Sequence, residues 1–197
     1  MTGTCLRTIL WRCERLNLYE YCVLTDTRQG MRFVGTVVAA ESGKPLRIDY
    51  QVVLNEQNLT QSVTVDTSGG LGKHHIALEV DAQRNWRWNG RELPECRGLT
   101  DVDLGFSPGT NTLPIRRLNL SPGESRELTV AWVRYPEFDV IPFPQRYTRL
   151  DADRYLFESL IGDFKAALTV DELGLVRNYE GLWEAVAVGE KCGQADG

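Results

Sequence analysis

Short runs of alternating apolar and polar residues, each closed by a turn cluster, fill most of this 197-residue chain. Side chains in a strand point to opposite faces with period 2, so such runs suit a half-buried sheet and not a helical stripe. Residues 6–11, 19–24, 31–40 and 45–54 are runs of this kind, and Arg28-Gln29-Gly30 and Glu41-Ser42-Gly43 separate them. Residues 59–65 place Val63 and Val65 on one face and Ser62 and Thr64 on the other. Ser68-Gly69-Gly70 then turns the chain into residues 74–80, and residues 85–88 precede Asn89-Gly90, a strong hairpin signal. Residues 128–133 are apolar on both faces, which predicts a strand covered on both sides. Pro136, Pro142 and Pro144 interrupt the next stretch and predict that it stays out of a central ladder. Strands are expected again at 145–150, 155–158, 164–170 and 175–179, with Gly174 left-handed in the 171–174 loop. Trp183 should tuck under the end of the sheet, and the chain beyond Val188 reads as a fraying tail.

One segment breaks this pattern. Residues 101–118 read DVDLGFSPGTNTLPIRRL. Asp101 and Asp103 fall on one face, and Val102, Leu104 and Phe106 on the other. Ser107-Pro108-Gly109 ends the strand, and residues 110–118 can hold a helical turn with Pro114 near its start. Arg116 and Arg117 close the segment with two fixed charges. Carboxylates two positions apart in a strand lie roughly 7 Å from each other. They can serve acid–base chemistry, contact a ligand, or pair with Arg116, Arg117 or Arg134.

Other motifs carry less. Gly69-Gly70-Leu71-Gly72-Lys73 resembles a phosphate loop but has Thr67 at the first glycine position and His74 after the lysine, so it reads as a hairpin loop. His74 and His75 point to opposite faces, which disfavours a shared metal. No GxSxG elbow is present. The net charge of −5 argues against non-specific nucleic-acid binding. No apolar run approaches the ~20 residues that span a bilayer. Arg7, Arg12 and Glu14 interrupt the start of the chain where a leader would be apolar, and a cytoplasmic location is expected. Five cysteines, Cys5, Cys13, Cys22, Cys96 and Cys192, form no CxxC pair; the odd count predicts free thiols and no disulfide, with Cys192 exposed in the tail. Many aromatics, among them Trp86, Trp88, Trp132, Tyr135, Phe143, Tyr147, Tyr155 and Phe157, sit at sheet positions. They suit a core, or a curled sheet around an apolar cavity.

The run DVDLGFSPGTNTLPIRRL, then VAWVRYPEFDV, QRYTRL, YLFES and VDELGLVRNYEGLW, with FVGTVVAAESGKPLRIDYQVVLNE before them, resembles a bacterial family called the putative glycolipid-binding proteins. The resemblance extends over residues 10–183. It implies a long antiparallel sheet coiled into a spiral β-roll, or half-barrel, with a short helical insertion. That architecture is similar to bacterial lipoprotein-localisation factors, which hold acyl chains. The resemblance brings no catalytic residues with it.

The expectation is one all-β domain over residues 1–188, followed by a tail at 189–197. Its function would be non-catalytic binding of an amphipathic ligand, a glycolipid among the candidates, with no cofactor and no metal. Asp101, Asp103, Asn111, Arg116, Arg117, Arg146 and Tyr147 are the candidates for the ligand's polar end. Two rivals stand beside it. One is an enzyme using Asp101, Asp103, Arg116 and Arg117 on a small anionic substrate, and the other is a structural module without a ligand.

Overall fold

The computed structural model describes residues 3–70 and 72–189. Eight strands meander outward from the chain start: β1 (Thr4–Cys13), β2 (Leu18–Thr27), β3 (Gly30–Glu41), β4 (Lys44–Leu54), β5 (Thr60–Gly69), β6 (His75–Val80), β7 (Trp86–Trp88) and β8 (Arg91–Glu92). The chain then crosses to β9 (Val102–Leu104), a 3-10 turn (Pro108–Asn111) and the helix α1 (Thr112–Leu118). Six strands return: β10 (Ser125–Val133), β11 (Val140–Arg149), β12 (Arg154–Ser159), β13 (Lys165–Val170), β14 (Val176–Tyr179) and β15 (Trp183–Gly189). All belong to one sheet, ordered β8-β7-β6-β5-β4-β3-β2-β1-β15-β14-β13-β12-β11-β10-β9. Every pairing is antiparallel except β9 with β10.

The sheet rolls up without closing. The β9 end comes back against β5: Thr60 N–H donates to Thr100 O at 3.0 Å, and Val102 N–H to Thr60 Oγ1 at 3.1 Å. Arg84 laces the crossing with bonds to the carbonyls of Thr60, Leu99 and Thr100. The interior is a continuous apolar core containing Trp11, Phe33, Trp86 and Phe106, all essentially inaccessible.

The 3-10 turn and the first turn of α1 plug the roll. Pro108 through Ile115 are all buried. Gly109 suits this close packing, because a Cβ would lie 3.4 Å from the Trp11 ring and 3.2 Å from Ser107 Oγ. Trp11 also donates its indole N–H to Val176 O at 2.7 Å, tying β1 to β14.

Three expectations need correction. First, β15 is a full strand and the seam between a first wing, β1 to β8, and a second, β9 to β14, pairing with β1 from Thr8↔Gly189 to Arg12↔Glu184. Second, Pro142 and Pro144 lie inside β11, between β10 and β12. They fit because Pro144 O accepts from Leu160 N–H at 3.0 Å, so its ring nitrogen faces that flank, while ladder pairing with β12 begins only at Gln145. Third, Cys5 is disulfide-bonded, while Cys13, Cys22 and Cys96 are free and buried. An odd count leaves room for one pair. Cys192 lies outside the described residues.

The remaining turns follow the sequence. Asn89 (φ 49°) and Gly90 (φ 80°) both take positive φ between β7 and β8, as a type I′ hairpin requires. Gly174 adopts φ 79° in the loop between β13 and β14. His75 pairs with Asp66 at the surface while His74 stacks on Phe138, and no metal-binding cluster is found among the described residues.

Candidate functional site

The plug has two faces, and each presents a carboxyl group. Toward the first wing stands Glu20 on β2, fully buried. Tyr50 on β4 donates its hydroxyl to Glu20 Oε1, and Ser107 Oγ donates to the same oxygen at 2.7 Å. Tyr50 reaches across β3 because its strand neighbour there is Gly35, whose missing side chain leaves room for the phenol ring. Glu20 Oε2 has no hydrogen-bond partner among the described residues. Burial pushes the carboxyl up to about 8, against the pull of the Tyr50 and Ser107 bonds, so it carries its proton at neutral pH.

Toward the second wing stands Asp103 on β9. Gln145 on β11 donates Nε2–H to its Oδ2 at 2.5 Å. Asp103 keeps part of its surface open to a pocket, while protein encloses the rest. Burial pushes its carboxyl up to about 6, against hydrogen bonds from Gln145 and Thr110. It therefore remains mostly ionised at neutral pH.

The pocket has a volume of about 550 Å³. Its floor is the plug edge, with Asp103, Ser107 and Asn111; its walls are aromatic. Trp132 on β10 stacks on Phe143 on β11 at 4.5 Å and 28°. Phe157 on β12 contacts Phe164 at 6.1 Å and Tyr179 on β14 at 5.9 Å, and Trp183 on β15 adds a further wall. The β12–β13 loop forms an apolar lip in which Leu160, Ile161 and Phe164 are exposed. Arg15, in the β1–β2 turn, stands exposed at the rim. Gly105 permits the tight floor, since a Cβ there would lie 2.9 Å from the Trp132 indole nitrogen.

The candidates from the sequence are dispersed around this pocket. Asp103 and Asn111 line it. Tyr147 lies behind it, buried, and donates its hydroxyl to Asn111 Oδ1 at 2.8 Å. Burial pushes the Tyr147 phenol well up, and the charge of Asp103 adds to this. Asp101 is fully buried and bound by Arg117 through Nε and Nη2, the latter at 2.5 Å. Arg116 turns the other way: it donates to Leu173 O at 3.0 Å beside a separate polar hollow of about 360 Å³. Arg146 lies on the outer face, bridging Glu127 and Glu158.

Glu20, Trp183, Phe164 and Arg15 were not among those candidates. For Glu20 a signal existed. It occupies the inward phase of β2, shared by Leu18, Cys22 and Leu24, where a carboxyl is out of place. The others become neighbours only through the seam at β15.

A family model described as putative glycolipid-binding matches residues 8–185. The crystal structure of a DUF1089 family protein from Pseudomonas aeruginosa is similar at 34% identity, covering 85% of this chain and 91% of that one, with a TM-score of 0.79. No curated protein matches the chain. With the family model spanning nearly the whole rolled sheet, the chain belongs to the putative glycolipid-binding family.

Proposed function

We propose that the protein binds an amphipathic ligand without transforming it, in the aromatic pocket of the second wing. A glycolipid is the class that the family name suggests. The observation that carries the reading is the pocket's two-sided chemistry. Asp103 and Asn111 offer polar groups at the floor, and Trp132, Phe143, Phe157 and the exposed lip offer apolar surface above them. Its volume lies within the range of small-molecule sites, about 300–1,000 Å³. In this reading Asp103 and Asn111 hold the polar end and Tyr147 fixes the Asn111 amide. Asp101 and Arg117 are spent on each other and brace the plug.

The test is a series of single-chain glycolipids sharing one head group, with tails of increasing length. Each buried methylene should add about 0.8 kcal/mol until the pocket is filled. Flat affinity across the series, or no binding at any length, counts against the reading. Residues 1–188 act as one unit in this proposal, and its compartment is the cytoplasm. The three free thiols support that location and the Cys5 disulfide opposes it. Cell fractionation decides: recovery outside the cytoplasm overturns the location and leaves the binding site standing.

A further inference from the structure

Asp103 differs from Asp101, the buried aspartate just before its strand. Asp101 has Arg117, whereas no cation among the described residues contributes to the surroundings of Asp103. Its only stabilising contacts are neutral, from Gln145 and Thr110. A carboxylate ionised in a largely desolvated place without a counter-charge is costly, and a bound cation relieves that cost.

Several neutral polar side chains at the pocket are already engaged within the protein, while the Trp132 and Trp183 indoles can only donate. Ser107 Oγ donates to Glu20 and accepts from Gly109 N–H. Asn111 accepts from Tyr147 and donates to Pro108 O. Ser159 Oγ is bonded to both the N–H and the carbonyl of Ile161. A head group with many hydroxyls would find few open acceptors here, and each unpaired hydroxyl would lose its bonds to water. What the pocket does present is one negative charge and several ring faces. Rings attract cations through their negative faces, and the effect strengthens where water is excluded.

We infer that the head group held at Asp103 is a substituted ammonium, seated among Trp132, Phe143 and Phe157, on a ligand whose chain leaves across the Leu160–Ile161–Phe164 lip. This rests on the amphipathic-ligand reading above and narrows it to a cationic class. Arg15 does not oppose it strongly, because its guanidinium is at the solvent-exposed rim, where water screens it.

The probes are dodecyltrimethylammonium, dodecyl maltoside and choline, each titrated below micelle formation into the full chain by calorimetry. The variants Asp103→Asn and Trp132→Leu are titrated alongside, after thermal melting confirms that they fold. Dodecyltrimethylammonium should bind roughly tenfold or more tightly than the maltoside, a ratio in line with a desolvated cation–ring contact. Both variants should erase most of that preference, read as the ratio of the two affinities; Trp132→Leu also trims the pocket wall, so it should weaken both dodecyl compounds. Equal or tighter maltoside binding by the native protein overturns the cationic class and leaves the amphipathic reading intact. So does a preference that survives both substitutions. Choline binding as tightly as the dodecyl compound keeps the cation and removes the tail. If neither dodecyl compound binds, both readings fall.

Discussion

The two wings of the sheet share one pleat and use their inner faces differently. In the first wing β1 to β5 are ten to twelve residues long, and their inward side chains, Trp11, Phe33, Ile48 and Val52 among them, are sealed. In the second, β12 and β13 have six residues and β14 four, and aromatics from β10, β11, β12 and β14 line an open pocket beside the plug. The contrast extends to the acids. Glu20 on the filled side is closed in and protonated, while Asp103 on the open side faces a pocket and is ionised. Both wings are apolar inside. What separates them is filling: the second wing leaves about 550 Å³ between its inner face and the plug.

Substitutions should divide along the same line, with stability lost in one wing and ligand in the other. The largest effect is expected from Trp11→Ala, which opens a cavity and orphans Val176 O; it should cost about 3–5 kcal/mol in denaturant unfolding. A loss under about 1 kcal/mol would break the claim that this wing carries the fold. Arg117→Ala comes next. It leaves Asp101 buried without its partner and should cost about 3 kcal/mol, with amphiphile affinity unchanged. A selective loss of affinity would move Arg117 from brace to binding site.

A comparable effect depends on pH. The Glu20 carboxyl titrates higher in the folded chain than in the unfolded one, so the folded state holds its proton longer. Stability from this group is fully present below the usual glutamate range and is lost as pH rises toward about 8. Native protein should lose on the order of 4 kcal/mol between pH 5 and 9, and Glu20→Gln should flatten that slope. Asp103 adds loss of the same sign, ending near pH 6. Equal slopes in native protein and Glu20→Gln would show that Glu20 is not the buried acid described. The smallest stability effect belongs to the pocket wall. Phe143→Leu should cost about 1 kcal/mol, because one side of the ring already faces open space, yet it should weaken amphiphile binding measurably. A cost above about 3 kcal/mol would mean that this wall is core like the first wing.

Period-2 patterning made most strands and turns legible, because alternation and turn chemistry are local. The seam was not. In β15, Glu184-Ala185-Val186-Ala187 has small residues and no strong phase, and its partner β1 lies at the other end of the chain. The prolines of β11 misled because their harm depends on which flank their nitrogens face, a matter of register. The site shows the same division. Asp101 and Asp103 read alike in the sequence, two carboxylates two positions apart. Their fates differ because Arg117 arrives beside one and Gln145 beside the other. The aromatic pocket joins β10, β11, β12, β14 and β15 around a plug from elsewhere in the chain, which no window of sequence contains.

The five tryptophans report on the two wings separately. Trp11, Trp86 and Trp88 belong to the first, while Trp132 and Trp183 wall the pocket of the second. Titrating a single-chain dodecyl amphiphile while following the five indole N–H resonances by NMR tests the central claim directly. Saturable shifts of Trp132 and Trp183, with Trp86 and Trp88 unmoved, are the result expected. Shifts centred on Trp86 and Trp88, or no saturable shift at any indole, would contradict it.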